Sequence, residues 1–147
     1  MKNGIGVRPI SLGKAFVAVA DDVHAGYWNP AGLAILNTTQ FSAMHSNPVN
    51  YALLDSAGVK DIGYQTLSLA YPAGFGSLGL NLAYLSVGDI YVVEDVSGPT
   101  GDTFTDKELG VIASYATSIT DIVHLGVSLK LVRQSIWEEQ GSGMGLD

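Results

Sequence analysis

The most regular feature of the chain is a two-residue alternation of large apolar positions with small ones. From Ser77, the positions Leu78, Leu80, Leu82 and Tyr84 fall on one side, and Gly79, Asn81 and Ala83 on the other. From Glu108, one side collects Leu109, Val111, Ala113 and Tyr115, and the other Gly110, Ile112, Ser114 and Ala116. From Val123, the apolar side is Val123, Leu125, Val127, Leu129 and Leu131, opposed by His124, Gly126, Ser128 and Lys130. Before Pro72, Leu67, Leu69 and Tyr71 oppose Thr66, Ser68 and Ala70. A period of two is that of β-strands. The pattern predicts four strands of about nine or more residues and a shorter one near Gln40 to His45, about five in all. Short turns are expected at Pro72–Gly76 and Ser118–Asp121, with a long polar link over Glu94–Asp106 between them.

Which side faces inward depends on what the second side carries. In a soluble sandwich the large apolar side packs inward and the outer side is charged. Here the second side is Gly, Ala, Ser and Asn with a single Lys. Hydrophobic residues make up 47% of the chain and charged residues 14%, against the roughly 25% charged that is usual in soluble domains. No Asp, Glu, Lys or Arg occurs from Val23 to Leu54 or from Ile62 to Gly88. A membrane helix over the second stretch is excluded by Pro72 and by Gly74, Gly76 and Gly79. The inverted alternation instead matches a transmembrane antiparallel β-barrel, with Leu, Val and Tyr toward lipid and small polar residues toward the lumen. Strands of about 9–11 residues cross a bilayer when tilted. Short, long and short connections suit alternating periplasmic turns and extracellular loops, and Tyr71, Phe75, Tyr84, Tyr91, Tyr115 and Trp137 suit interfacial girdles. A soluble all-β fold is the alternative.

The segment before Thr38 reads differently. Ser11–Ala20 is Ala-rich and fits a short helix or a strand. Asn29-Pro30 has the form of a helix start, with Asn as N-cap and Pro at the first helical position, and Ala31–Leu36 would add about two turns. The expected organisation is a hatch or plug segment over 1–37, followed by the first barrel strands over 38–147.

Candidate chemistry is sparse. The absence of cysteine excludes disulfides and thiolate metal sites. A net charge of −7 with no basic stripe argues against nucleic acid. Asp21, Asp22 and His24 have no second cluster to complete a metal site, His45 stands alone, and His124 lies on a small-residue side, so no metal or cofactor is expected. Asp21 and Asp22 read as turn or capping residues. No serine stands in a Gly-x-Ser-x-Gly setting, and no enzymatic activity is expected. Gly74–Gly79 spells G-x-G-x-x-G, but alternation follows it where a nucleotide site needs a helix; its glycines are turn and lumen positions. The acids Asp89, Glu94, Asp95, Asp102, Asp106 and Glu108 read as a solvated loop, with divalent-cation capture near lipopolysaccharide as the sharper reading. Lys130, with Arg133, is expected at the lumen or its rim, where a cation would orient an anionic headgroup.

Leu12–Asp22 (LGKAFVAVADD) followed by Tyr27–Ala34 (YWNPAGLA) closely resembles the N-terminal signature of PorV/PorQ-type outer-membrane proteins, a branch of the FadL/TodX superfamily of long-chain fatty-acid transporters. The runs Gly79–Leu85, Gly88-Asp89-Ile90 and Leu125–Lys130 are also typical of that group. The resemblance implies a bacterial outer-membrane barrel of about fourteen strands with its N-terminal segment folded into the lumen. Asn29, Pro30, Ala31 and Gly32 would form the hatch motif. It further implies transport of hydrophobic small molecules, with a hatch shift opening the path and Tyr27 and Trp28 touching the ligand. The other implied role is that of a partner in type IX protein secretion, holding secreted cargo instead of conducting solute. Outer-membrane lipid and lipopolysaccharide would surround either. No leader precedes this stretch and no aromatic final strand follows the alternation, so the sequence reads as the N-terminal part of a longer protein.

Overall fold

The computed structural model describes residues 3–47, 60–95, 98–137 and 139–147. Six strands form one antiparallel sheet in chain order: β1 (Gln40–Ser46), β2 (Lys60–Ala73), β3 (Gly76–Asp95), β4 (Gly98–Ser118), β5 (His124–Ile136) and β6 (Glu139–Leu146). Each strand pairs only with its chain neighbours, and the sheet is open rather than closed into a barrel. The all-β class and the alternation hold. The sixth strand is the Gly-rich alternating segment that follows Trp137.

The long polar link expected over Glu94–Asp106 is not a loop. β3 runs on to Asp95 and β4 begins at Gly98, and the two pair from Asp95↔Gly98 through Val87↔Asp106 with three register shifts. The β-branched and aromatic run Ile90–Val93, facing Thr103–Thr105, favours strand over loop. The turns expected at the other end are present: Gly74-Phe75 joins β2 to β3, and residues 119–123 join β4 to β5.

Register decides which residues share a face. Ser42, Ser68, Asn81, Ile112 and Lys130 lie side by side across five strands, and Gln40, Ala70, Gly79, Ser114 and Ser128 form the adjacent row. This is the small-residue face, and it is the buried one: Asn81 is 0% exposed and Ser128 1%. On the opposite face Phe41, Leu69, Leu80, Ala113, Leu129 and Leu146 line up, with Phe41 69% and Leu129 41% exposed. Arg133 shares the side of Leu129 and Leu131 by strand parity, so it does not join Lys130 on the small-residue face.

What buries the small-residue face is the N-terminal segment. It contains α1 (Val7–Ser11), α2 (Ala25–Trp28) and a 3-10 helix over Pro30–Ile35. Of the two forms expected for Ser11–Ala20, neither a helix nor a strand spans it. α1 ends at Ser11 because Gly13 and Lys14 both take left-handed backbone, φ 62° and 68°, and turns follow. Phe16, Val23, Leu33 and Leu36 pack on Ala70 and Ala116, while Ile5 packs with Tyr64, Ala83 and Ile112. The 3-10 helix lies directly against β4 and β5. A Cβ at Gly126 would stand 2.3 Å from the backbone nitrogen of Ala31, and one at Gly32 1.9 Å from the carbonyl oxygen of Ala20.

Backbone cannot yield at such a distance. Gly32→Ala is therefore expected to destabilise the seating of residues 5–36 by about 2–3 kcal/mol, read as a lower melting point and faster proteolytic clipping of the segment. Gly141→Ala, with open space around it, should stay within about 0.5 kcal/mol of the parent.

Candidate functional site

The seam between the N-terminal segment and the sheet holds nearly every polar contact of interest. The carbonyl oxygen of Gly26 accepts from Ser114 Oγ at 2.8 Å and from Ser128 Oγ at 3.0 Å, and the two hydroxyls lie 2.8 Å apart. Both serines are buried, so this clasp works in a poorly solvated setting. Tyr64 donates from its hydroxyl to the carbonyl of Gly4 at 2.8 Å, and Trp28 Nε1 donates to the carbonyl of Ile5 at 2.9 Å. Val23 N donates to Gln40 Oε1 at 2.9 Å. These bonds satisfy backbone groups of a segment with little regular structure of its own.

The residues of the expected hatch motif have separate tasks. Pro30 opens the 3-10 helix as anticipated. Asn29 holds the N-cap position, but its side chain does not cap; Nδ2 donates to the carbonyl of Val17 at 3.0 Å, tying the helix start to the preceding turns. Ala31 rests over Gly126, and Gly32 admits the Ala20 carbonyl. Tyr27 and Trp28 meet edge to face with centroids 5.0 Å apart. Lys130 Nζ sits 5.5 Å from the Tyr27 ring centroid and pairs with Asp147. Tyr27 and Lys130 are thus brought together, while Trp28 points its ring nitrogen toward the chain start.

The acid pair and histidine assemble into more than a turn. Arg8 pairs with Asp21 and with Asp22. Asp22 Oδ1 accepts from the backbone nitrogen of His24 at 2.8 Å and contacts His24 Nδ1 at 2.9 Å. His24 Nε2 reaches Ser42 Oγ on β1 at 3.1 Å. A carboxylate only accepts, so Nδ1 carries the proton and Nε2 receives the Ser42 hydroxyl. The arrangement orients a serine, an imidazole and a carboxylate in line. Deeper along the same row, Ser68 Oγ and both polar side-chain atoms of Asn81 are buried without a hydrogen-bond partner.

No protein-family model, curated protein or solved structure matches this chain.

Among the described residues no group of three or more His, Asp or Glu is placed to hold a metal. His124 Nδ1 is engaged with Ser118 Oγ at 2.8 Å. Of the acids around the expected long link, Asp106 accepts from Gln134 Nε2; the side chains of Asp89, Glu94, Asp95 and Asp102 lie outside the described residues. Ser42, Ser68, Ser114 and Ser128 were not singled out by sequence. The available signal was their shared small-residue side, but which serine meets which atom of the N-terminal segment depends on register and on the path of residues 3–37.

Donation from Arg8 is the main reason the Asp21 carboxyl is held below its ordinary range. A carboxylate pKa lowered on folding stabilises above the unfolded value, and that contribution fades as pH falls through the folded one. Both groups are exposed, so the effect is small and weakens with salt. A carboxyl NMR titration should place Asp21 below the ordinary value of about 3.9 and return it there in Arg8→Gln. Replacing Ser114 and Ser128 together by Ala strands the Gly26 carbonyl and should cost about 1–3 kcal/mol, measured by thermal or denaturant unfolding.

Proposed function

We propose that this chain builds part of the wall of a bacterial outer-membrane β-barrel, with residues 1–37 as the hatch on its lumenal face. One observation carries the reading: the sheet buries its Ser, Gly, Ala and Asn side and exposes its Leu, Val and Phe side. Water-facing sheets do the reverse. Half-exposed Leu125, Val127, Leu129 and Leu131 on β5 form the kind of continuous apolar ribbon that lipid would cover. Exposed Tyr71 and Phe75, with Tyr115 stacked on Phe75 at 6.3 Å, gather at the hairpin end as an interfacial aromatic cluster would. An unpaired strand edge is costly in lipid, so the reading entails further strands to meet β1 and β6.

In this setting the hatch closes a lumen through which a hydrophobic small molecule passes. Tyr27 and Trp28 offer apolar contact, and Lys130 beside Tyr27 offers a cation to an acidic headgroup. The tight backbone fit at Gly32 and Gly126 favours a second role, that of a plugged barrel that holds secreted cargo in type IX secretion. Uptake of a labelled fatty acid into liposomes carrying the protein supports the channel; no uptake with co-purifying secreted protein supports the second role.

The membrane reading itself makes a sharper prediction. Leu129→Arg should cost about 2–4 kcal/mol if Leu129 lies near the bilayer midplane, and membrane-extracted yield should fall with it. Unchanged yield of a water-soluble monomer, in parent and variant alike, would remove the membrane assignment.

A further inference from the structure

We propose that Asp22, His24 and Ser42 form a serine-nucleophile site that hydrolyses a carboxylic ester. The proposal is independent of the membrane reading. Three distances carry it: Asp22 Oδ1 to His24 Nδ1 at 2.9 Å, His24 Nε2 to Ser42 Oγ at 3.1 Å, and Asp22 Oδ1 to the backbone nitrogen of His24 at 2.8 Å. A nucleophile, a base within hydrogen-bond reach and a carboxylate fixing the base's tautomer are the parts such a site needs. These constellations are recognised by geometry and role, not by position in a sequence motif.

The setting supplies what the three residues lack. The His24 side chain is 10% exposed and that of Asp22 21%, so the base is shielded from water while Ser42 on edge strand β1 stays partly open. Arg8 on Asp22 Oδ2 at 3.1 Å fixes the carboxylate from its far side. Ser68 stands directly across the β1–β2 ladder from Ser42, where facing side chains start about 5 Å apart. Its hydroxyl is buried and unpartnered, which makes it a donor for the oxyanion that forms at the attacked carbonyl.

The steps balance with water as the only co-reactant. Ser42 Oγ forms a bond to the ester carbonyl carbon as its proton passes to His24 Nε2, and the carbonyl electron pair moves onto oxygen beside Ser68. Collapse breaks the bond to the alkoxy oxygen, which leaves as the alcohol with the His24 proton. Water then gives its proton to His24 and attacks the acyl-serine; the bond from the acyl carbon to Ser42 Oγ breaks, Oγ takes the proton back from His24, and the carboxylic acid leaves. Asp22 is a positioning residue that acts through His24.

The test uses the purified full chain in detergent, a fluorophosphonate probe and p-nitrophenyl butyrate. The expected result is a phosphonyl adduct mapped by mass spectrometry to Ser42, and ester hydrolysis that Ser42→Ala abolishes. His24→Gln should reduce both by about 100-fold or more. Asp22→Asn should lower hydrolysis, and Asp22→Glu, which restores a carboxylate, should recover part of it, whereas mere loosening of the fold would lower both variants alike. In a Trp137→Phe background, Trp28 fluorescence reports whether each variant keeps its segment seated. Because Ser42→Ala is small and isosteric, it remains informative if the Asp22 variant unfolds. No adduct on Ser42 in folded parent protein, or hydrolysis unchanged in Ser42→Ala, would overturn the assignment.

Discussion

The structure depends on the close approach of an irregular backbone to the side of the sheet that carries mainly small side chains. Gly79, Ala70, Ala116 and Gly126 leave that side nearly flat, so Leu33 can lie over Gly79 and the backbone of Ala31 over Gly126. A bulky residue at any of these positions would lift the segment from the sheet. Van der Waals contact is then made by backbone as much as by side chain, and the peptide groups so buried must find partners. They find them in the hydroxyls of Ser114, Ser128 and Tyr64 and the amide of Gln40. Small residues and polar side chains on that face are therefore one requirement, not two.

This requirement explains which parts of the fold were legible in the sequence. The alternation could be read because side-chain period is a local property, and the turns at Gly74-Phe75 and after Ser118 followed from it. The identity of the buried side was also legible, since a face of Gly, Ala, Ser and Asn beside a face of Leu and Val has few ways to be used. The extended β3–β4 hairpin was misread because Asp, Gly and Pro in Glu94–Asp106 signal a loop, while β-branched residues flanking the tip keep the strands paired. Asn29 was misread for another reason. Its position is that of an N-cap, but a carbonyl at Val17 lies within reach, and only the three-dimensional path of the segment brings it there.

The histidine is the clearest case of local sequence giving the wrong scope. Asp22 and His24 are two residues apart, and that spacing supports the Asx-type turn they form. No serine or threonine stands near them in sequence. Ser42 comes from a strand reached only after the 3-10 helix turns the chain back over the sheet, and register then sets it beside Ser68. The same fold that seats the segment therefore sets the relay: Val23 is bonded to Gln40, and the neighbouring positions His24 and Ser42 meet on the same side.

Seating and relay are in this way mechanically coupled. Gln40 and Ser42 point to one side of β1 because they are two residues apart, and each holds one of two consecutive residues, Val23 and His24. A shift of the segment that frees the Val23 contact must also draw His24 from Ser42. Arg8, which grips Asp21 and Asp22 together, would move with them, so Asp22 and His24 stay paired while the hydroxyl is left behind. A shift of the segment off β1 separates His24 from Ser42, whereas the Asp22–His24 contact lies within the segment. A closed segment and an oriented serine are thus the same state of the molecule.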